Sequence, residues 1–210
     1  MTSFVASKPQ SWRLTADSAN AVQEHFLCSN DPSLIQLDAL HEAMSSEVLW
    51  WATPLTPDAL AAVVTTSVCL GVYHQTSTSE EAGLGPMIGF ARLITDRATF
   101  AYLTDVYILP AYQRRGLGTW LMRCLRDMLM GDGEVAAKPG WKNLRSLWLV
   151  ASTPAAARMY ETTLKAHTVA RYRAIPGKPD SGMIMLEMSG PGNAFERKKN
   201  GQRQHAVVEA

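Results

Sequence analysis

The stretch Gln113-Arg114-Arg115-Gly116-Leu117-Gly118 sets two arginines and two glycines between an apolar run that stops at Pro110 and an apolar pattern with helical spacing. Glycine lets the backbone approach a ligand and lets amide N–H groups converge on one cavity. A helix N-terminus adds unpaired donors and partial positive charge. Arg114 and Arg115 add full charges. The chemistry this suits is the holding of an anion such as a pyrophosphate. Two common phosphate loops do not fit. A Walker loop ends in Gly-Lys-Ser/Thr, whereas Gly118 is followed by Thr119 and Trp120. A dinucleotide fingerprint needs a third glycine where Leu121 stands. The other residue that stands out is Asp105, an acid in the otherwise apolar run from Leu103 to Leu109. Strict strand alternation puts Asp105, Tyr107 and Leu109 on one face and Val106 and Ile108 on the other, unless a bulge re-aims them.

The elements that must position these residues follow from periodicity and caps. Residues 11–17 read as a first strand. Helical spacing runs from 32 to 49, and a second helix opens at 56 with Thr56 as cap and Pro57 at its first position. Residues 67–75, 86–96 and 100–110 read as three strands joined by hairpin-length loops, the first of these loops (75–85) polar and mobile. An amphipathic helix spans 117–130, and 131–143 is a loop. Residues 144–152 form a nearly continuous apolar strand, and a helix over 154–165 starts at the cap Thr153 with Pro154. Two last strands cover 167–175 and 181–189. The strand–helix–strand step from 100 to 152 needs a right-handed crossover, so those two strands should be parallel in an otherwise mainly antiparallel sheet. The fold class is therefore α/β (α+β), a mixed sheet flanked by helices. We divide the chain into a lead-in at 1–10, one domain over 11–189 and a polar basic tail at 190–210.

The totals exclude several classes. A net charge of +1 gives no global attraction to nucleic acid or acidic membranes, so an anion site must be local. The three cysteines, Cys28, Cys69 and Cys124, are too few and too widely spaced for a disulfide scaffold or a metal site, which suits a reduced cytoplasmic or nuclear setting. The first ten residues hold no apolar h-region, so we expect no secretory signal, and no apolar run approaches about 18 residues. We expect no metal, no nucleic acid and no membrane partner.

The pattern hydrophobic strand–Pro-x-Tyr-Gln-Arg-Arg-Gly-x-Gly–helix closely resembles the acyl-CoA loop of the GNAT superfamily of N-acetyltransferases, Gln/Arg-x-x-Gly-x-Gly/Ala. Gln113, Gly116 and Gly118 fill it without mismatch. The stretches 50–73 and 147–164 are also similar to the acceptor-side helix and strand, and to the later strand, helix and tyrosine, of small GNAT enzymes. The resemblance covers roughly residues 11–188 and implies the GNAT fold, with a parallel strand pair splayed at the acyl-CoA site. It implies direct transfer of an acetyl group from acetyl-CoA, as cosubstrate, to a primary amine in a ternary complex.

Carried over residue by residue, the resemblance implies that Gln113, Arg114, Arg115, Gly116, Leu117, Gly118 and Thr119 hold the pyrophosphate. Either Arg114 or Arg115 would reach the CoA 3′-phosphate. Tyr107, Ile108 and Leu109, on a bulged strand, would pair with the pantetheine arm, with a backbone N–H near Ile108 donating to the thioester oxygen. Thr153 and Ala156 fall at a further cofactor contact, although many relatives carry Asn where Thr153 stands. Tyr160 matches the tyrosine that protonates the departing sulfur; its alternative is a tyrosine capping the core. Asp105 matches a carboxylate acting as base through a water; its alternative is a structural pair with a group such as Arg92. His41, His74 and His167 are weaker candidates for the base. Trp50 and Trp51 stand where the acceptor wall begins, and core packing is the alternative. Relatives usually continue the tyrosine as Tyr-Glu-Lys-x-Gly-Phe, whereas this chain reads Tyr-Glu-Thr-Thr-Leu-Lys-Ala-His, so that wall cannot be copied from them. The acceptor would be a small-molecule or peptide amine, and homodimers are common in the family. The rival functions are a CoA-binding regulatory module without turnover and a nucleic-acid binder using Arg114, Arg115 and the tail's Arg197, Lys198 and Lys199.

Overall fold

The structure, a computed structural model, describes residues 8–17, 23–75, 83–131, 140–172 and 182–194. Most of the expected tail, including its basic run, and most of the polar 75–85 and 131–143 loops lie outside the described residues.

Eight strands follow the chain: β1 (Ser11–Asp17), β2 (Gln23–Ser29), β3 (Val68–Gln75), β4 (Met87–Thr95), β5 (Phe100–Ile108), β6 (Ser146–Ala151), β7 (His167–Arg171) and β8 (Ile184–Ser189). Four α-helices accompany them: α1 (Leu37–Met44), α2 (Pro57–Thr66), α3 (Leu117–Met130) and α4 (Pro154–Leu164). The strand order is β1-β2-β3-β4-β5-β6-β8-β7. The β5–β6 pair is parallel, with Phe100 opposite Ser146, as the crossover through α3 requires. The pairs β1–β2, β2–β3, β6–β8 and β7–β8 are antiparallel. This is the mixed, mainly antiparallel sheet with flanking helices expected from the sequence.

The chain forms two compact units, and β4 and β5 each contribute to both. The first unit holds residues up to Ala91 together with Val106–Arg115. Its core gathers Leu40 and Met44 of α1, Leu60 and Val64 of α2, Tyr73 of β3, Phe90 of β4 and Tyr107 of β5. Burial of these apolar side chains is what holds α1 and α2 in place, at about 25 cal/mol for each Å² removed from water. The Tyr73 hydroxyl escapes an unpaired burial by donating to the carbonyl of Leu34 at 2.9 Å.

The second unit holds Arg92–Asp105 and the chain from Gly116 onward. Here α4 packs on α3, β6, β7 and β8. Leu121, Leu125, Met128 and Leu129 of α3, Leu147 and Leu149 of β6, and Leu186 and Met188 of β8 are all buried. Helix α3 starts at Gly116 and ends at Gly131, both with left-handed backbone. Helix α4 starts at Thr153, whose hydroxyl accepts the Ala156 N–H at 3.1 Å.

Two features differ from the sequence reading. β2 was not expected as a strand, and it supplies the partner of both β1 and β3. The single helix expected over 32–49 is instead α1 flanked by short 3-10 turns at Pro32–Leu34 and Glu47–Leu49. The first break falls at Ile35 and Gln36, both extended, where the Gln36 side chain donates to the Gly85 carbonyl and accepts the Met87 N–H; at the second, Ser46 accepts the Val48 N–H. Such local side-chain bonds compete with helical ones and restart the chain at each. The three cysteines are buried and free.

Candidate active site

In the first unit, β5 runs into a 3-10 turn at Pro110–Tyr112 and then the loop Gln113–Arg115. Pro110 fixes the first turn position, where its missing N–H costs nothing. The Gln113 side chain donates back to the Ile108 carbonyl at 2.8 Å. Thus Gln113 braces the strand end with its amide side chain, while its backbone N–H closes the 3-10 turn on the Pro110 carbonyl at 3.2 Å. The Leu109 N–H donates to the Ile88 carbonyl at 2.8 Å, which ties the end of β5 to β4. Gly89 permits this approach: a Cβ there would run into Ile108 Cδ1 and lie 3.0 Å from the Tyr107 carbonyl oxygen.

Strict alternation along β5 does not persist. Tyr107 and Ile108 are both buried, while Leu109 is half-buried. Just upstream, Asp105 takes φ +51°, a left-handed conformation inside a strand. That is the type of irregularity a bulge demands, and Asp is among the few side chains that tolerate it.

Asp105 belongs to the second unit and is buried. Its Oδ2 accepts from Arg92 Nε at 2.7 Å, and its Oδ1 accepts from the Thr104 hydroxyl at 3.2 Å. The ion pair with Arg92 that the sequence offered as the alternative for Asp105 is therefore formed. A buried carboxylate needs such a partner, since stripping one member leaves a desolvated charge.

Also in the second unit, α3 begins at Gly116 with φ +77° and with no side chain capping its first amides. A Cβ at Gly116 would meet nothing within 4 Å. The space over the helix start is thus open, and glycine is required there by its φ and not by crowding. Leu117 is buried and anchors the first turn, whereas Gly118 and Thr119 are half-buried. An uncapped N-terminus with open space above it suits an anion.

Tyr160 projects from α4 and is only 7% exposed. Burial pushes its phenol up to about 12, so the side chain keeps its proton throughout the neutral range. The sign is that of an acid whose neutral form is favoured. Raising the pKa extends the protonated form toward alkaline pH and takes nothing away at low pH. We therefore expect the tyrosinate absorbance titrations of the wild type and Tyr160→Phe to coincide up to pH ~11. A chromophore lost from the variant near pH 10 would contradict this burial.

The remaining candidates are dispersed. Trp50 and Trp51, after the second 3-10 turn, meet edge to face at 5.6 Å, and Trp51 is 47% exposed. His41 lies on the exposed surface of α1. His167 stands 3.9 Å from Glu187 on the β7–β8 pair. His74 joins a cluster with Tyr112, Arg115 and Glu24. The sequence reading gave no role to Glu24 or Tyr112. Among the described residues, no group of three or more His, Cys, Asp or Glu is placed to hold a metal. No described helix is long and apolar enough to cross a membrane.

The model of the acetyltransferase (GNAT) domain matches residues 73–162, which include Asp105, the glycine loop and Tyr160. A Gibberella zeae protein, provisionally named an acetyltransferase, is 35% identical over 202 residues, spanning 89% of this chain and 96% of its own length. The chain belongs to the GNAT acetyltransferase family. As a GNAT member it is an acyltransferase, and acetyl transfer is the chemistry of its family. A Xanthomonas campestris protein described as belonging to the same family is 28% identical, with a TM-score of 0.50 over 66% of this chain and 82% of that one. The Sinorhizobium meliloti phosphinothricin acetyltransferase, solved in complex with AcCoA, shares the GNAT fold at 14% identity, with a TM-score of 0.53 over 87% of this chain and 91% of that one.

Proposed function

We propose that this acyltransferase moves an acetyl group from acetyl-CoA to a primary amine by direct attack in a ternary complex. The observation that carries the reading is the start of α3: a left-handed glycine, no side-chain cap, open space above it and two arginines just before it. The backbone amides from Arg114 to Thr119 would hold the pyrophosphate, with Arg114 or Arg115 adding charge, while the Gln113 N–H is already given to the Pro110 carbonyl. Arg115 already has a carboxylate partner in Glu24, whereas Arg114 is exposed and forms no ion pair among the described residues. That favours Arg114 for the 3′-phosphate.

Each proton has a proposed place. The attacking amine must lose one, and Asp105, oriented by Arg92, would accept it through a water. The C–S bond breaks as the amide forms, and Tyr160 would deliver its phenolic proton to the sulfur. Backbone groups of Tyr107, Ile108 and Leu109 would align the pantetheine arm, although the Leu109 N–H is already given to Ile88. Thr153 spends its acceptor lone pair on Ala156 and keeps its hydroxyl hydrogen for the same arm. Trp50 and Trp51 would form the acceptor wall, which favours a small or partly apolar amine.

Acetyl-CoA at about 100 times its Kd should stabilise the fold by about 2.7 kcal/mol. For a chain of this size that is a rise in Tm of roughly 5–10 °C, measurable by thermal denaturation. An unmoved Tm at saturating acetyl-CoA would overturn the reading.

A further inference from the structure

Arg115 lies between two left-handed residues, Arg114 at φ +62° and Gly116 at φ +77°. Glycine adopts this conformation freely, but an arginine does not. Something must therefore hold the turn at Arg114. Its neighbour Arg115 is bonded to a distant strand. Arg115 Nη1 lies 2.9 Å from both carboxylate oxygens of Glu24 on β2. Its Nη2 donates to the Ala111 carbonyl at 3.0 Å, and its guanidinium carbon sits 5.2 Å from the centre of the Tyr112 ring. Tyr112 is fixed in turn, its hydroxyl 3.1 Å from His74 Nδ1, while His74 Nε2 lies 3.8 Å from Glu24 Oε1. Phe26, two residues along β2 from Glu24, stacks on His74 at 5.3 Å.

We propose that Glu24 is a positioning residue for the acyl donor: acting through Arg115, it holds the left-handed turn at Arg114 and so presets the loop that binds the anion. The inference rests on the reading of this loop as the CoA phosphate site. A guanidinium gripped on one edge by a carboxylate, on the other by a carbonyl, and backed by an aromatic ring has little freedom left. The energy of preorganisation is then spent on folding and not on each binding event. The same grip neutralises Arg115, which leaves Arg114 as the cation of the pair offered to a phosphate.

The test is a double-mutant cycle on the Kd for CoA, measured by calorimetry at fixed salt with Glu24→Ala, Arg115→Ala and the double variant. Each single change should raise the Kd about tenfold. The double variant should also be raised about tenfold, because both changes break one device. Circular dichroism and the ligand-free Tm should stay near those of the wild type, since a half-exposed ion pair contributes little to stability. Glu24→Gln, which keeps the side-chain shape, serves in the same cycle if Glu24→Ala does not fold. A folded Glu24 variant that binds CoA as tightly as the wild type, or tighter, overturns the proposal. So does a double variant weakened about a hundredfold, which would make Arg115 an independent ligand of the anion. Wild-type protein that fails to bind CoA would instead remove the loop reading itself, a result the wild-type titration reports before any variant is made.

Discussion

Tyr160→Phe should lower turnover by about 100-fold while leaving the Kd for acetyl-CoA within about twofold. The substitution keeps the ring that fills the buried position on α4 and removes only the hydroxyl. If the phenol delivers the proton that the departing sulfur takes up, its loss removes an interaction made in the transition state and not in the ground state. General acids of this kind contribute about 100- to 10,000-fold. We expect the low end because solvent can replace the proton, so the barrier rises by about 2.7 kcal/mol. Burial pushes the phenol up to about 12, which keeps it protonated across the neutral range and also makes it a weaker proton donor than a free tyrosine. An equal loss of kcat and acetyl-CoA affinity would make Tyr160 a wall of the site, and an unchanged kcat would end its assignment as the acid.

Gly116→Asp should abolish the thermal stabilisation by acetyl-CoA without unfolding the protein. The Cβ itself meets nothing, so no clash is introduced. The cost is the φ of +77°, which aspartate tolerates better than most residues. Aspartate is also a good helix cap, so the loss at this position is partly offset. For the ligand the same features are ruinous. The carboxylate would accept the amides of α3 that a phosphate needs, and its charge would repel the anion. The rise of roughly 5–10 °C expected for wild type should fall to within error of zero. Gly116→Ala, which adds the backbone strain without the charge, should retain part of it. A full shift in Gly116→Asp would place the anion elsewhere.

How much of this was legible in the sequence depends on the range of the signal. Helix α3 was read with the same bounds it shows, because its apolar stripe, its glycine start and its glycine end are all local. The parallel β5–β6 pair followed from chirality alone. By contrast, β2 has no clean alternation in Gln23–Ser29, and only its pairing with β1 and β3 makes it a strand. The split of the 32–49 helix falls at Ile35 and Gln36, where the Gln36 side chain bonds to the Gly85 carbonyl and the Met87 N–H, and at Ser46, which accepts the Val48 N–H; these bonds outweigh an apolar spacing that looked continuous.

The site divides the same way. The glycine loop and Tyr160 were visible by spacing and family pattern. Asp105 was visible as an acid among apolar residues, but not its φ of +51°, since no residue type there demands it. The choice between a free and a paired Asp105 needed the position of Arg92, 13 residues away across a hairpin. Glu24 was invisible because a single glutamate has no pattern, and its partner Arg115 lies 91 residues later. Contacts of that kind belong to the tertiary fold, and the loop they govern is where sequence reasoning left the two arginines undecided.

The central claim is transfer of an acetyl group to an amine, and one measurement addresses it directly. Protein and labelled acetyl-CoA are incubated with representative amines: an arylalkylamine, a polyamine, an amino acid, a peptide N-terminus and a peptide lysine. Free CoA thiol and labelled N-acetyl product are counted together. At least one class should give the two products one to one, well above the rate without amine. Acetyl-CoA that binds and raises the Tm, but yields no amine-dependent thiol with any class, would contradict it and leave a CoA-binding module without turnover.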